Sequence, residues 1–163
     1  MIVKFTNFNN GVHQIDFEKP AKDLNLPPEF QGDVKVKCKM DKSNHQIVLD
    51  CKLSCFANFR CDRCNDEFQN YIENEFRLVY IFSEQVIEND DLNLQYLSLD
   101  ATKIDISEEV TEYCLLSVPL KILCKEDCKG LCTKCGLNLN LDSCICEEEK
   151  TNALWEKLNK LKK

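Results

Sequence analysis

Residues 124–146, CKEDCKGLCTKCGLNLNLDSCIC, hold six cysteines spaced C-x3-C-x3-C-x2-C-x8-C-x-C. Thiols this crowded are metal ligands, disulfide partners or free groups open to oxidation, and the spacing favours the first. Cys132 and Cys135 form a C-x-x-C with Gly136 directly after it. Two thiolates at that spacing reach one ion, and the glycine permits a tight turn that aims backbone N–H groups back at the sulfurs. Cys144 and Cys146 supply a second short-range pair. Together Cys132, Cys135, Cys144 and Cys146 make a four-sulfur set suited to tetrahedral zinc.

A further C-x-x-C stands far upstream at Cys61 and Cys64, and Cys124 and Cys128 remain unassigned. Four pairs make eight ligands and two Zn²⁺ ions. The expected pairing puts Cys61, Cys64, Cys124 and Cys128 around the first ion, which would staple the middle of the chain to its end. A competing pairing puts Cys124, Cys128, Cys132 and Cys135 around one ion and leaves Cys61 and Cys64 as hairpin thiols.

At 163 residues the chain is long enough for one domain, or one domain with a small metal-bound appendage. The expected division is a sheet-plus-helix core at 1–123 and a cysteine-rich module with a terminal helix at 124–163, acting as one cooperative unit. No signal-peptide pattern and no membrane-length apolar run is present, so the expectation is a cytoplasmic protein with no membrane partner. In that compartment 12 cysteines point to metal rather than to cross-links. Formal charge is −7; eight thiolates and two dications would carry it to −11. Such a chain is a poor non-specific binder of nucleic acid, so any RNA contact would be local or made through a protein.

Periodicity places the rest. Residues 2–8 and 12–17 read as short strands, and the proline-rich 20–32 as a connection. Val34, Val36, Cys38 and Met40 share one face of a strand at 33–40, and DKSN at 41–44 supplies a turn. Ile47, Leu49, Cys51, Leu53, Cys55, Ala57 and Phe59 then alternate along a long strand with one buried face. Cys61 and Cys64 follow at a hairpin tip, and 66–82 runs back, burying Phe68, Ile72, Phe76, Leu78, Tyr80 and Phe82. Arg63 could offset thiolate charge or reach a phosphate, the first being favoured. His13 and His45 stand alone and read as surface residues. Residues 83–104 form an acidic loop, with Glu84, Glu88, Asp90 and Asp91, followed by an edge strand or a packed segment.

Asp105 and Glu108 fit a capping box for a helix at 106–117, with Ile106, Val110, Tyr113 and Cys114 on its core face and Leu115 and Leu116 widening it. Cys38, Cys51, Cys55 and Cys114 thus read as small apolar core side chains. Thr151 or Asn152 begins a last helix carrying Leu154, Trp155, Leu158 and Leu161. The fold class is α+β: a mainly antiparallel sheet over 2–82, one packed helix and a zinc-ribbon-like module.

No G-x-x-x-x-G-K-[ST], G-x-G-x-x-G, G-x-S-x-G or H-E-x-x-H occurs. A closed four-sulfur site holds structure, whereas catalytic zinc keeps an open position and mixed ligands. Neither catalytic residues nor a small-molecule substrate are expected. The alternative is a thiol redox protein that uses Cys61 and Cys64, or Cys132 and Cys135, as a reversible dithiol.

In order, C-D-R-C at 61–64 after a long strand, I-D-I at 104–106, LLSVP at 115–119 and LCKEDCKGLCTKCGLNLN with C-x-C after it resemble the YceD family of large ribosomal RNA subunit accumulation proteins. The resemblance covers about residues 30–163. It implies a ribosome-biogenesis factor that supports 23S rRNA accumulation, with pre-rRNA or ribosome-assembly proteins as partners. Three positions depart from the family pattern: Asn65 replaces Leu, Thr133 replaces Pro, and Thr151-Asn152-Ala153 replaces a D-P-R-like lead. None removes a cysteine.

Overall fold

The computed structural model describes residues 1–84 and 94–146. In chain order the elements are β1 (Ile2–Val3), β2 (Gly11–Pro20), β3 (Phe30–Lys42), β4 (Gln46–Arg60), β5 (Glu67–Phe82), β6 (Leu94–Leu97), β7 (Ile104–Asp105) and α1 (Ser107–Leu116). Five strands form one sheet in the order β2-β3-β4-β5-β6; β2 to β5 are antiparallel, and β6 runs parallel to β5 at the edge. β1 and β7 make a separate antiparallel pair.

The long alternation becomes β4, the central strand. All seven of its odd positions from Ile47 to Phe59 are buried, and their partners on β3 (Val34, Val36, Cys38, Met40) are buried with them. Burying this face against α1 and the N-terminal segments supplies the hydrophobic stabilisation, about 25 cal/mol per Å² of apolar surface. The opposite face is mostly polar, Val48 and the Phe56–Tyr71 ring pair apart, with cross-strand ion pairs Glu18–Lys35, Lys52–Glu73 and Asp50–Arg77. Pairs this exposed contribute little each, but they match the register and so oppose strand slippage.

Several expectations change in three dimensions. Residues 2–8 are not one strand: after β1 the chain enters a 3-10 turn at Phe5–Asn7. There the Lys42 ammonium donates to the carbonyls of Phe5 and Phe8, giving the turn a partner that strand pairing would not. The 20–32 connection contains a 3-10 turn at Ala21–Leu24, and β3 begins already at Phe30. A register irregularity between Gln31 and Lys35, with Gly32 at φ +73°, breaks the alternation and hides that start from a period-2 reading. The apolar stretch after the acidic loop supplies β6, an edge strand as one reading had it. Residues 85–93, which include Glu88, Asp90 and Asp91, and the last helix expected beyond 150, lie outside the described residues.

α1 packs Ile106, Val110 and Cys114 fully into the core, and Tyr113 stacks on Phe76 with ring centroids 4.4 Å apart. Leu115 and Leu116 do not widen this face. They are 44% and 75% exposed, because at about 100° per residue Leu116 lies on the far side of the helix from Cys114. Asp105 does cap the first turn, accepting the Ser107 N–H at 3.0 Å, but Glu108 is exposed and makes no return bond. Asp105 instead also takes the Met1 ammonium at 3.0 Å.

The largest correction concerns two core cysteines. Cys38 and Cys51 face each other across β3 and β4, with Cα atoms 4.1 Å apart, and are joined as a disulfide. The reading as separate apolar side chains had the face right and the partner missing. A turn at 41–44 would have set Cys38 opposite Ile47. The turn instead lies between Lys42 and Gln46, closed by the Ser43 N–H to the Gln46 carbonyl at 2.9 Å, and this brings Cys51 across. Cys55 and Cys114 remain buried thiols, in contact with each other between β4 and α1.

Leu53→Ala, at a fully buried position, is expected to lower unfolding stability by about 2–5 kcal/mol, whereas Leu116→Ala should change it by no more than about 0.5 kcal/mol. Denaturant titration of both variants checks the orientation of α1. Alkylation of the unfolded, metal-stripped chain without reductant should label ten thiols and spare Cys38 and Cys51.

Candidate metal centre

The hairpin between β4 and β5 and the stretch after α1 each carry a C-x-x-C, and the two turns fold alike. In the first, the Cys61 N–H donates to the Asp66 carbonyl at 2.9 Å and the Asn65 N–H to the Cys61 carbonyl at 2.8 Å. In the second, the Cys132 N–H donates to the Leu137 carbonyl at 2.8 Å and the Gly136 N–H to the Cys132 carbonyl at 2.9 Å. The residue after the second cysteine is left-handed in both, Asn65 at φ +60° and Gly136 at φ +73°. Asparagine is among the few side chains that tolerate that conformation, so the Asn65 departure suits the turn.

These turns point main-chain donors at sulfur. Burial raises the cost of a Cys61 thiolate, yet the N–H groups of Cys124, Cys64 and Arg63 outweigh it and bring this thiol down to about 6. Cys132 is also lowered to about 6, by the N–H groups of Cys135 and Lys134 and by contacts with Cys144 and Cys135. Their neighbours move the other way. The Asp66 N–H favours a Cys64 thiolate, but burial and contacts with Cys61, Asp66 and Cys124 push it up. Contacts with Cys144 and Cys135 push Cys146 up to about 12. Each cluster thus holds one thiol drawn toward the thiolate beside at least one neighbour pushed the other way.

The structure gathers eight cysteines into two sets. The sulfurs of Cys61, Cys64, Cys124 and Cys128 all lie within 4.8 Å of one another, and so do those of Cys132, Cys135, Cys144 and Cys146. This is the long-range grouping; the competing set of Cys124, Cys128, Cys132 and Cys135 is not brought together. Contacts in the first set include Cys61–Cys128 at 3.7 Å and Cys64–Cys124 at 3.6 Å. In the second they include Cys135–Cys144 at 3.5 Å and Cys132–Cys144 at 3.3 Å. A tetrahedral ion with Zn–S bonds of about 2.3 Å separates its sulfurs by about 3.8 Å, and a disulfide by about 2.05 Å. The donor set therefore fits four-sulfur metal ligation. Burial differs sharply: Cys61, Cys64 and Cys128 are 2–3% exposed, while Cys135 and Cys146 are exposed.

The first cluster is framed by bonds between segments 60 residues apart. The Asp62 N–H donates to the Ile122 carbonyl at 2.8 Å, and the Asp62 carboxylate accepts the Ile122 N–H at 2.7 Å. The Arg63 guanidinium donates through Nη1 to the carbonyls of Glu126 and Cys128, at 3.2 and 2.7 Å, the latter being a residue of the first cluster. The Leu131 N–H returns to the Arg63 carbonyl at 3.1 Å. Gly130, at φ +78°, lies so close that a Cβ there would stand 3.0 Å from that carbonyl oxygen. His13 and His45 stay outside both clusters: the His13 ring packs on Phe8 and its Nε2 bonds the Asn9 carbonyl, and His45 is exposed. Sequence reasoning did not single out Gly130, Asn138 or Asn140, although a glycine two residues after Cys128 and the polar alternation of LNLNL were visible signals.

Cys61→Ser with Cys64→Ser is expected to remove one of two metal equivalents from the chain and to speed amide exchange across 119–131, leaving the 132–146 cluster loaded. Retention of both equivalents would dismiss the long-range grouping. Gly130→Ala should cost about 1–2 kcal/mol through the left-handed backbone alone, read by thermal unfolding.

The family described as large ribosomal RNA subunit accumulation protein YceD matches residues 49–162, the part of the chain that contains both clusters. Among curated relatives, the large ribosomal RNA subunit accumulation protein YCED homolog 1, chloroplastic, of Arabidopsis thaliana is 23% identical over 156 residues, covering 79% of this chain and 48% of the relative. The protein of the same description from Zea mays is 38% identical over 72 residues, covering 44% of this chain and 24% of the relative. The chain thus spans about half or less of the length of these relatives. No solved structure gives a significant match. With the family matching over most of its length, and over all eight clustered cysteines, the chain belongs to the YceD family.

Proposed function

We propose that this protein is a non-enzymatic ribosome-biogenesis factor that supports accumulation of 23S rRNA, and that it holds two structural Zn²⁺ ions. Cys61, Cys64, Cys124 and Cys128 would bind one ion, and Cys132, Cys135, Cys144 and Cys146 the other. The observation that carries the functional part is the family match over 49–162. The metal part is supported by the two sets of four sulfurs at separations suited to one ion each. Zinc in such sites supplies folding energy, roughly 10–16 kcal/mol in small modules, comparable with the ~5–15 kcal/mol net stability of a domain. Pre-rRNA or ribosome-assembly proteins are the partners, and the cytoplasm is the proposed compartment. No helix among the described residues is long and apolar enough to cross a membrane.

A thiol redox function has less support. A working dithiol needs two accessible sulfurs, and Cys61 and Cys64 are buried against Cys128 and Cys124. Cys132 and Cys135 are more open, but both sulfurs pack on Cys144 at separations that suit a shared ion.

Depletion of the protein in its own cells should lower 23S relative to 16S rRNA, as read by RNA gel densitometry. Re-expression of the wild-type chain should restore the ratio, and Cys132→Ser with Cys135→Ser should not. An unchanged ratio on depletion would reject the functional reading, and a purified wild-type chain without metal would reject the zinc.

A further inference from the structure

The two clusters are joined by side chains that neither of them needs for its own ligands. Residues 137–143 form the loop between the Cys132/Cys135 turn and Cys144/Cys146, so both ends of this loop are fixed by the second cluster. Its two asparagines reach instead toward the first. The Asn140 amide donates through Nδ2 to the Cys128 sulfur at 3.3 Å. Its Oδ1 accepts the Lys129 N–H at 2.9 Å, which sets the orientation of the amide and leaves Nδ2 facing sulfur. Asn138 receives the Asn140 N–H and Nδ2 on its Oδ1, at 3.0 and 2.9 Å, and gives its own Nδ2 to the Asp66 carboxylate at 2.7 Å. Asp66 belongs to the first cluster's turn, where its carbonyl holds the Cys61 N–H. The Leu139 N–H to the Gly130 carbonyl, at 2.9 Å, completes the seam.

We propose that Asn140 is a positioning residue that couples the two clusters, so that metal bound at Cys132, Cys135, Cys144 and Cys146 tightens metal binding at Cys61, Cys64, Cys124 and Cys128. This rests on the zinc reading above. An N–H donated to a metal-bound thiolate is a charge-assisted bond, and partners of this kind shift metal affinity by about ten- to hundredfold. Asn140 delivers that bond only while its loop is held. With the second ion present, the loop is closed at both ends and the ordering entropy has already been met. Without that ion, Cys144 and Cys146 lose their anchor, and Asn140 with its neighbouring seam bonds must order the loop without closure at that end. Coupling of this kind is reciprocal: an ion in the first cluster also tightens the second. The exposure difference gives it a direction in practice. The second cluster is open to solvent and its ion is the one a chelator meets first, so its occupancy sets how firmly the buried cluster holds the hairpin to the post-helix segment.

The test is a double-mutant cycle on the full chain, read by competition with a chromogenic zinc chelator. Its arms are Cys144→Ser with Cys146→Ser, Asn140→Ala, and the combination. Each of the first two should weaken the first cluster about ten- to hundredfold, and the combination should weaken it no further than either alone. Multiplied losses, or a first cluster unmoved by loss of the second, would overturn the coupling. Asn140→Asp separates positioning from loop closure, because it keeps the acceptor for the Lys129 N–H and removes the donor to Cys128. In the cobalt-loaded chain, this variant should shift the thiolate-to-cobalt charge-transfer band and lower first-cluster affinity; wild-type values for both would overturn the role given to Asn140. Two ions held with independent affinities would sink the coupling alone, and a chain that takes up neither cobalt nor zinc would sink the metal reading with it.

Discussion

The structure depends on one meeting: the tip of the β4–β5 hairpin against the segment that follows α1. The cluster of Cys61, Cys64, Cys124 and Cys128, the Asp62–Ile122 exchange, the Arg63 bonds and the close packing of Gly130 on Arg63 all lie on this seam, and the second cluster sits beside it within the post-helix segment. The seam is mostly polar. It closes on main-chain hydrogen bonds and thiols rather than on a broad apolar face, in contrast to the sheet and α1, whose apolar core is continuous. Hydrogen bonds of this kind add only about 0.5–1.5 kcal/mol each. A cation shared between the two segments would add far more.

Electrostatics makes the same point. Crowded sulfurs cannot all ionise in each other's company, and burial adds to the cost at the first cluster. The turns answer this with N–H groups directed at Cys61 and Cys132, the two thiols pulled well below their ordinary range. Cys64, Cys124, Cys144 and Cys146 are pushed the other way, chiefly by burial and by their sulfur neighbours. A chain already at −7 has no surplus of positive charge to lend them.

The internal likeness of the two C-x-x-C turns clarifies the division of labour. Both use the same backbone bonds and the same left-handed residue, yet one is enclosed and the other open. The enclosed one ties distant parts of the chain. The open one is built from a single short stretch, and its loop lends Asn138 and Asn140 to the neighbour.

By itself the sequence determined what is set by local period and spacing. Alternation at 47–59 named the buried face of β4 residue by residue, since successive side chains on a strand must point to opposite sides. The capping signal located α1 to within a residue, and the C-x-x-C spacings marked both turns, because reach between near neighbours is fixed by covalent geometry. Tertiary structure decided whatever depends on which distant residues face each other. A shift of two positions in one turn separates an isolated Cys38 from one bonded to Cys51. The outward aim of Leu116, the early start of β3 at an irregularity and the parallel pairing of β6 follow from packing against partners that no local window contains. The reach of Asn140 to Cys128 is of the same kind: twelve positions separate them in the chain, and the contact depends on how the loop at 137–143 packs against the first cluster.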